Sequence, residues 1–158
     1  MKKCFFIGHG NAPDRLFGPL LRRMEVLVLE HGIMEFVAGS YGNFDRLARC
    51  AAVKIKEKYP ETSAMQLQVY HPSRQKTPLT KGMDGFLYPP CMEMVPPRFA
   101  ISRANRYMID HVDHIIAYVH FPGRARDLLE YARRREKQGL LQIDCMEIPG
   151  DDNTFFAV

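Results

Sequence analysis

The sequence predicts an α/β protein in which helices cover both faces of a mostly parallel sheet. Short apolar segments without polar alternation recur along the chain, and such segments are typical of strands buried on both faces. Longer segments with apolar residues at three- and four-residue spacing follow them, which indicates helices. The chain has 158 residues, 46% of them apolar and 25% charged, as expected for one globular domain spanning residues 1–158. Alternating strands and helices favour a parallel sheet between two helical layers.

The periodicity defines five strands and four helices. The predicted strands cover residues 4–7, 33–38, 65–70, 113–120 and 140–148. The predicted helices cover residues 14–31, 44–58, 97–111 and 123–138. The expected architecture is therefore a three-layer domain around a five-stranded sheet.

Each element has local signals of its own. The first strand ends at a glycine, and the helix after it has Asp14 near its start and Gly32 past its end. The second strand leads into a glycine-containing turn, and Pro60 follows the end of the second helix. The third strand alternates polar and apolar residues, which is typical of an edge strand. The last helix stops at Gly139 after a basic final turn, which complements the negative end of a helix.

A long irregular segment, the insertion at residues 71–97, separates the third strand from the third helix. It holds six of the eleven prolines, together with several methionine and aromatic residues. Those side chains have apolar surface to bury, which disfavours disorder. The segment is expected to be a lid over a site, or an interface in a homodimer.

Charge, hydropathy and cysteine spacing exclude several classes of function. The net charge of +4, from 22 basic and 18 acidic side chains, is too small to indicate nucleic acid as a partner by itself. No apolar run approaches the ~20 residues of a membrane span, so no membrane association is expected. The four cysteines are far apart and have no metal-ligand spacing, which predicts a reduced, cytoplasmic compartment. No metal site and no cofactor are expected.

The candidate site lies in the loops after the strands, because an open parallel sheet binds ligands outside the carboxyl ends of its strands. The loop residues are Gly8, His9 and Gly10, then Gly39, Ser40 and Gly42, and finally Gly123 and Arg124. Glycine followed by a helix brings free backbone N–H groups against an anion, which predicts a phosphate or nucleotide pocket. The alternative is that these turns need glycine for a positive φ with no ligand involved. Pro13 stands where a GxGxxG motif needs its third glycine, which disfavours an NAD dehydrogenase.

Further candidate residues have two interpretations each. His9 is expected to be exposed and to contact the ligand. Asp45 either contacts a ribose hydroxyl or complements the positive end of its helix. Arg103 and Arg106 share a helical face and either bind an anion or are solvated. Glu130 is either a catalytic acid or an exposed glutamate paired with a basic residue one turn further on.

Four motifs, in this order and spacing, resemble the SLOG superfamily of Rossmann-like proteins. They are GHG at 8–10, GSYGNFD at 39–45, RANRYMID at 103–110 and DHIIAY at 113–118. The YpsA-like branch is the most similar, because it begins with a strand and a comparable glycine–histidine turn and has a glycine–phenylalanine–aspartate loop after its second strand. The resemblance covers about residues 3–143 and implies a Rossmann-like fold with a nucleotide site that includes Phe44 and Asp45.

The LOG phosphoribohydrolases of this superfamily carry the motif PGGxGTxxE after a strand. Pro122, Gly123 and Glu130 match that spacing, whereas Arg124 and Arg126 replace the other two glycines. Two arginines bind phosphate through side chains, but they prevent the same close approach of the backbone. The upstream catalytic arginine of LOG enzymes falls nearest residue 103, with residue 106 as a rival.

Three functions follow in order of preference. The first is the binding or sensing of a nucleotide or nucleotide-derived ligand by a YpsA-like protein. The second is nucleoside 5′-monophosphate N-glycosidase activity, in which Arg103 orients the phosphate or ribose and Glu130 acts on the anomeric centre. The weakest is a DprA-like module associated with single-stranded DNA.

Overall fold

A parallel sheet of six strands forms the centre of the structure, a computed structural model that describes residues 1–147. The strands are Lys2–Gly8 (β1), Ile33–Ala38 (β2), Ser63–Leu67 (β3), Gly85–Leu87 (β4), His114–Tyr118 (β5) and Gln142–Cys145 (β6). Their order across the sheet is β4-β3-β2-β1-β5-β6, and every neighbouring pair is parallel. The predicted α/β, Rossmann-like fold class is confirmed.

Helices cover both faces of the sheet. They are Phe17–His31 (α1), Asn43–Lys58 (α2), Pro97–His111 (α3) and Arg124–Lys137 (α4), with short 3-10 turns at Asp14–Leu16 and Met92–Met94. A hydrophobic core lies on each face of the sheet, and successive residues of β1 point into different cores. Phe6 packs in the core with α1 and α2, whereas Phe5 packs in the core with α3 and α4. Burial on both faces is why β1 is an unbroken apolar segment.

The sheet has six strands, not the predicted five, because the insertion contributes β4. Phe86 and Leu87 pair in parallel register with β3. Met83 and Met92 of the same segment are buried, at 7% and 4% exposure. The predicted edge strand β3 is therefore an inner strand, with β4 as the edge. A three-residue strand is too short for hydrophobic periodicity to reveal.

The chain order reverses between β1 and β5, because β2, β3 and β4 continue on one side of β1 while β5 and β6 lie on the other. This switch point is where a parallel sheet leaves a crevice between the loops that follow its strands. The last predicted strand is observed over Gln142–Cys145, and Ile148, its predicted end, lies outside the described residues. Within residues 1–147, no helix has the length and apolar character needed to cross a membrane.

Candidate functional site

A cavity of about 330 Å³ opens at the switch point, between the loops that follow β1, β2 and β5. Small-molecule sites have volumes of roughly 300–1,000 Å³, so the cavity is at the small end of that range. The predicted site residues that line it are Gly8, His9, Gly10, Gly39, Ser40, Gly42, Asp45, Gly123 and Arg124. The fold therefore brings the three predicted loops together around one space.

Four other predicted residues lie outside the lining formed by the described chain. Phe44 is fully buried beneath the first glycine loop. Arg103 and Arg106 are exposed on α3, and the Arg106 guanidinium lies 5.0 Å from the centroid of the Tyr131 ring. Glu130 is exposed on α4. The two residues proposed for catalysis, Glu130 and Arg103, are thus not among those that line the cavity.

The first two glycine loops pack directly against each other. Gly42 has φ +87°, and a Cβ at this position would lie 2.9 Å from the Gly10 Cα. The Asn43 backbone N–H donates to the Gly10 carbonyl at 2.9 Å, and the Asn43 side chain donates to the Ala12 carbonyl at 2.6 Å. These contacts require a residue without a side chain at position 42. They also fix the backbone that forms this wall of the cavity.

Two further glycines are explained by crowding. A side chain on Gly8 would overlap the Phe44 ring, and one on Gly39 would overlap the Asp45 carboxyl group. Close packing therefore accounts for glycine at these two positions with or without a ligand, whereas the positive φ of the alternative interpretation occurs at Gly42 and Gly123 and not at Gly8 or Gly39.

Gly123 differs from these glycines because open space surrounds its Cα. It has φ +146°, no neighbouring atom would meet a Cβ there, and its carbonyl accepts the Asp127 N–H at 3.1 Å. Gly123, Arg124 and Ala125 line the cavity at the start of α4. The first N–H groups of a helix have no partner within it and carry the positive end of the helix dipole. The start of α4 is therefore suited to an anion.

His9 is buried rather than exposed as expected, with 6% of its surface accessible. Its Nε2 accepts the backbone N–H of His120 at 2.8 Å, so the neutral ring carries its proton on Nδ1. Burial lowers the pKa of His9, and the nearby His120 and Arg126 act in the same direction. The imidazole is a neutral part of the cavity wall, and its position depends on a partner 111 residues away in sequence.

Asp45 is a partly buried acid in the first turn of α2. Burial raises the pKa of its carboxyl group to about 7, although the Arg49 charge and the Tyr41 N–H oppose that shift. Arg49 donates to the Gly39 carbonyl at 2.5 Å and to the Thr80 hydroxyl at 2.8 Å. A carboxyl group with a pKa near 7 is present in both protonation states at neutral pH, so it can donate or accept a hydrogen bond.

The Ser40 hydroxyl is already engaged by protein groups. It donates to the Leu67 carbonyl at 2.8 Å and accepts from the Gln66 side chain at 3.1 Å. Gln66 also binds the Pro78 carbonyl and the Thr80 N–H. These bonds attach the start of the insertion to the β2 loop.

Several residues of the cavity wall were not predicted as site residues. Phe121 is 45% exposed, and its ring stacks on His9 with centroids 3.6 Å apart and planes 8° from parallel. Tyr41 accepts a hydrogen bond from Gln75 of the insertion at 3.1 Å. Asn105 of α3 also lines the cavity. An exposed aromatic residue directly before Pro-Gly in a strand-end loop is a signal that sequence reasoning could have used for Phe121.

The fold and the site define a class of protein: a Rossmann-like α/β protein with a cavity at its switch point, bounded by two glycine loops and a helix N-terminus. No family model matches the sequence, and no curated protein matches it significantly. In the part of the chain that the structure describes, no three His, Cys, Asp or Glu side chains are grouped so as to hold a metal ion.

Proposed function

We propose that the protein binds a nucleotide or a nucleotide-derived ligand at the switch point, as a SLOG protein of the YpsA-like type. One observation carries the proposal: two glycine loops and the first turn of α4 surround the same cavity. Backbone N–H groups and a helix N-terminus are suited to a phosphate. Several apolar side chains line the rest of the cavity.

The phosphate end of the ligand is assigned to the start of α4. Gly123 leaves space beside the helix N-terminus, and the exposed Arg124 adds a positive side chain at the same place. An arginine and a helix dipole together favour an oxyanion more than either does alone.

Part of the remaining wall is apolar and suits the uncharged part of a nucleotide. Leu67 and Val69 line it from the region of β3, Ile101 from α3 and Leu128 from α4. Apolar walls with a few polar groups are the usual composition of a small-molecule site.

The alternatives have less support. N-glycosidase activity was assigned to Glu130 and Arg103, and neither side chain lines the cavity. A homodimer through the insertion has less support because β4 and two buried methionines, Met83 and Met92, attach that segment to its own sheet. No specific contact favours a single-stranded DNA partner.

The proposal is tested by mass spectrometry of small molecules that copurify with the protein, followed by thermal-shift titration with AMP, ADP-ribose and NAD. Arg124→Ala should reduce the response to the phosphate-bearing ligand. Arg134→Ala, an exposed arginine at the far end of the same helix, is the matched control. The absence of both a copurified nucleotide and a thermal shift with any of the three ligands would contradict the proposal.

A further inference from the structure

Phe121 presents an aromatic ring to the cavity that no part of the described chain fully covers. The side chain is 45% exposed and lines the cavity. Exposing an aromatic ring to water is unfavourable, and a ligand that covers the ring gains free energy by removing its apolar surface from water. An apolar group of a ligand would therefore be stabilised by contact with the exposed Phe121 ring.

One face of the Phe121 ring is occupied by His9. The two rings are nearly parallel, at 8°, with centroids 3.6 Å apart. Because His9 is only 6% exposed, the accessible surface of the pair belongs to Phe121, on the side away from His9. The hydrogen bond from the His120 N–H holds the imidazole at 2.8 Å, so the ring beneath Phe121 has a fixed position.

The exposed ring lies next to the anion site along the chain. Phe121 precedes Gly123 by two residues, which limits the Cα–Cα separation to about 7 Å. A ligand that contacts both must therefore carry a planar or apolar group a short distance from a negative group.

We propose that the free face of Phe121 is the platform on which a planar ring of the ligand stacks, with the anionic end of the ligand at the start of α4. The inference rests on the proposed function and adds to it that the heterocyclic base is recognised by stacking. Aromatic rings prefer offset parallel or edge contacts, and base stacking on an aromatic residue accepts every base because each has a π-face. A purine binds more tightly than a pyrimidine here, because it covers more of the ring.

The absence of tryptophan from the 158 residues permits a direct optical test. Phe121→Trp introduces the sole tryptophan, at the stacking position. Phe99→Trp is the matched control, because Phe99 is 52% exposed on α3 and does not line the cavity. Titration with the four ribonucleoside 5′-monophosphates should quench the emission of Phe121→Trp in a saturable manner and leave Phe99→Trp unchanged. Ribose 5-phosphate, which has no base, should not quench either variant.

Calorimetric titration provides the second measurement. Phe121→Ala and Phe121→Leu should weaken binding of AMP by about five- to hundredfold, the usual range for loss of one stacked base. Both should leave the affinity for ribose 5-phosphate within about twofold. The leucine variant keeps an apolar side chain without a ring, and Phe99→Ala should behave as the wild type.

The outcomes separate the two proposals. If the wild type binds nucleotides and Phe121→Ala and Phe121→Leu bind them equally well, stacking is overturned and nucleotide binding stands. The same holds if the wild type binds nucleotides but the emission of Phe121→Trp does not change on their addition. No binding of any nucleotide or of ribose 5-phosphate to the wild type would overturn both.

Discussion

The imidazole Nε2 of His9 accepts a hydrogen bond from the backbone N–H of His120 at 2.8 Å, which joins the loop after β1 to the loop after β5. The pairing of β1 with β5 ends at Gly8 and Tyr118, and the two loops that flank the switch point begin there. The bond therefore holds the two loops together beyond the paired strands, and the His9 ring also stacks on Phe121. The His9 side chain therefore contributes both to the packing of the fold and to the wall of the proposed ligand site.

Replacing His9 should destabilise the fold. His9→Ala leaves the His120 N–H without its partner and removes the buried ring beneath Phe121, which should lower the free energy of unfolding by about 1–3 kcal/mol. Urea denaturation at pH 7.5 measures the change. His71→Ala, at an exposed histidine of the insertion, should have an effect below about 0.5 kcal/mol. Equal effects of the two substitutions would contradict the role of the His9 bond.

The contribution of His9 should depend on pH. Burial lowers the pKa of His9 below its ordinary 6.5, so the unfolded chain binds the proton more readily than the folded one. The stabilisation is complete above pH 6.5 and is lost as the pH falls through the lower pKa of the folded state. The difference in unfolding free energy between wild type and His9→Ala should therefore shrink between pH 7 and pH 5. A constant difference over that range would show that His9 does not titrate as described.

Asp45 should have the opposite pH dependence. Its pKa is raised from 3.8 to about 7 in the folded state, so folding favours the protonated carboxyl group. That contribution is complete below pH 3.8 and is lost as the pH rises through 7. Asp45→Asn, which imitates the neutral acid, should be more stable than the wild type by about 2–4 kcal/mol at pH 8 and nearly equal to it at pH 4.

Urea denaturation at the two pH values measures this difference. Asp127→Asn is the matched control, since Asp127 is an exposed acid in the first turn of α4. It reports the loss of an acidic residue at a helix N-terminus without the effect of burial. A destabilised Asp45→Asn at pH 8 would mean that the ionised carboxylate is the favoured form.

Five of the six strands and the four helices could be predicted from the sequence, because burial on both faces of the sheet requires uninterrupted apolar segments. The segment around Phe5 and Phe6 is apolar without interruption, and the structure places these neighbours in opposite cores. The same reasoning could not find Gly85–Leu87, because three residues carry no period. The sequence also led to the wrong expectation that His9 is exposed. Its partner His120 is distant in sequence and contacts it only in the folded chain.

The loops that form the candidate site could be predicted from the sequence. Motif spacing alone could not predict whether a given side chain faces the cavity or the solvent. Glu130 matches the spacing of a glutamate in LOG enzymes, yet Leu128, Leu129 and Ala132 form the buried face of α4 and leave residue 130 exposed. The apolar stripe of the helix already implies this orientation. Helical periodicity was therefore a better guide than the motif for this residue.

Gly42 and Gly32 should respond differently to alanine, although both have positive φ values, of +87° and +70°. Gly32 ends α1 in the left-handed region with open space around it, so Gly32→Ala should cost about 1 kcal/mol. Gly42 lies in a region of backbone conformation that glycine alone occupies readily, and a Cβ there would press on Gly10. Gly42→Ala should therefore cost about 2–4 kcal/mol.

Denaturation and nucleotide titration of the same two variants complete this prediction. Gly42→Ala should also weaken binding of AMP, because the displaced loops form the wall of the cavity, whereas Gly32→Ala should leave the affinity unchanged. If Gly42→Ala were as stable as Gly32→Ala and bound AMP as the wild type does, the contact between the two glycine loops would not control the shape of the site.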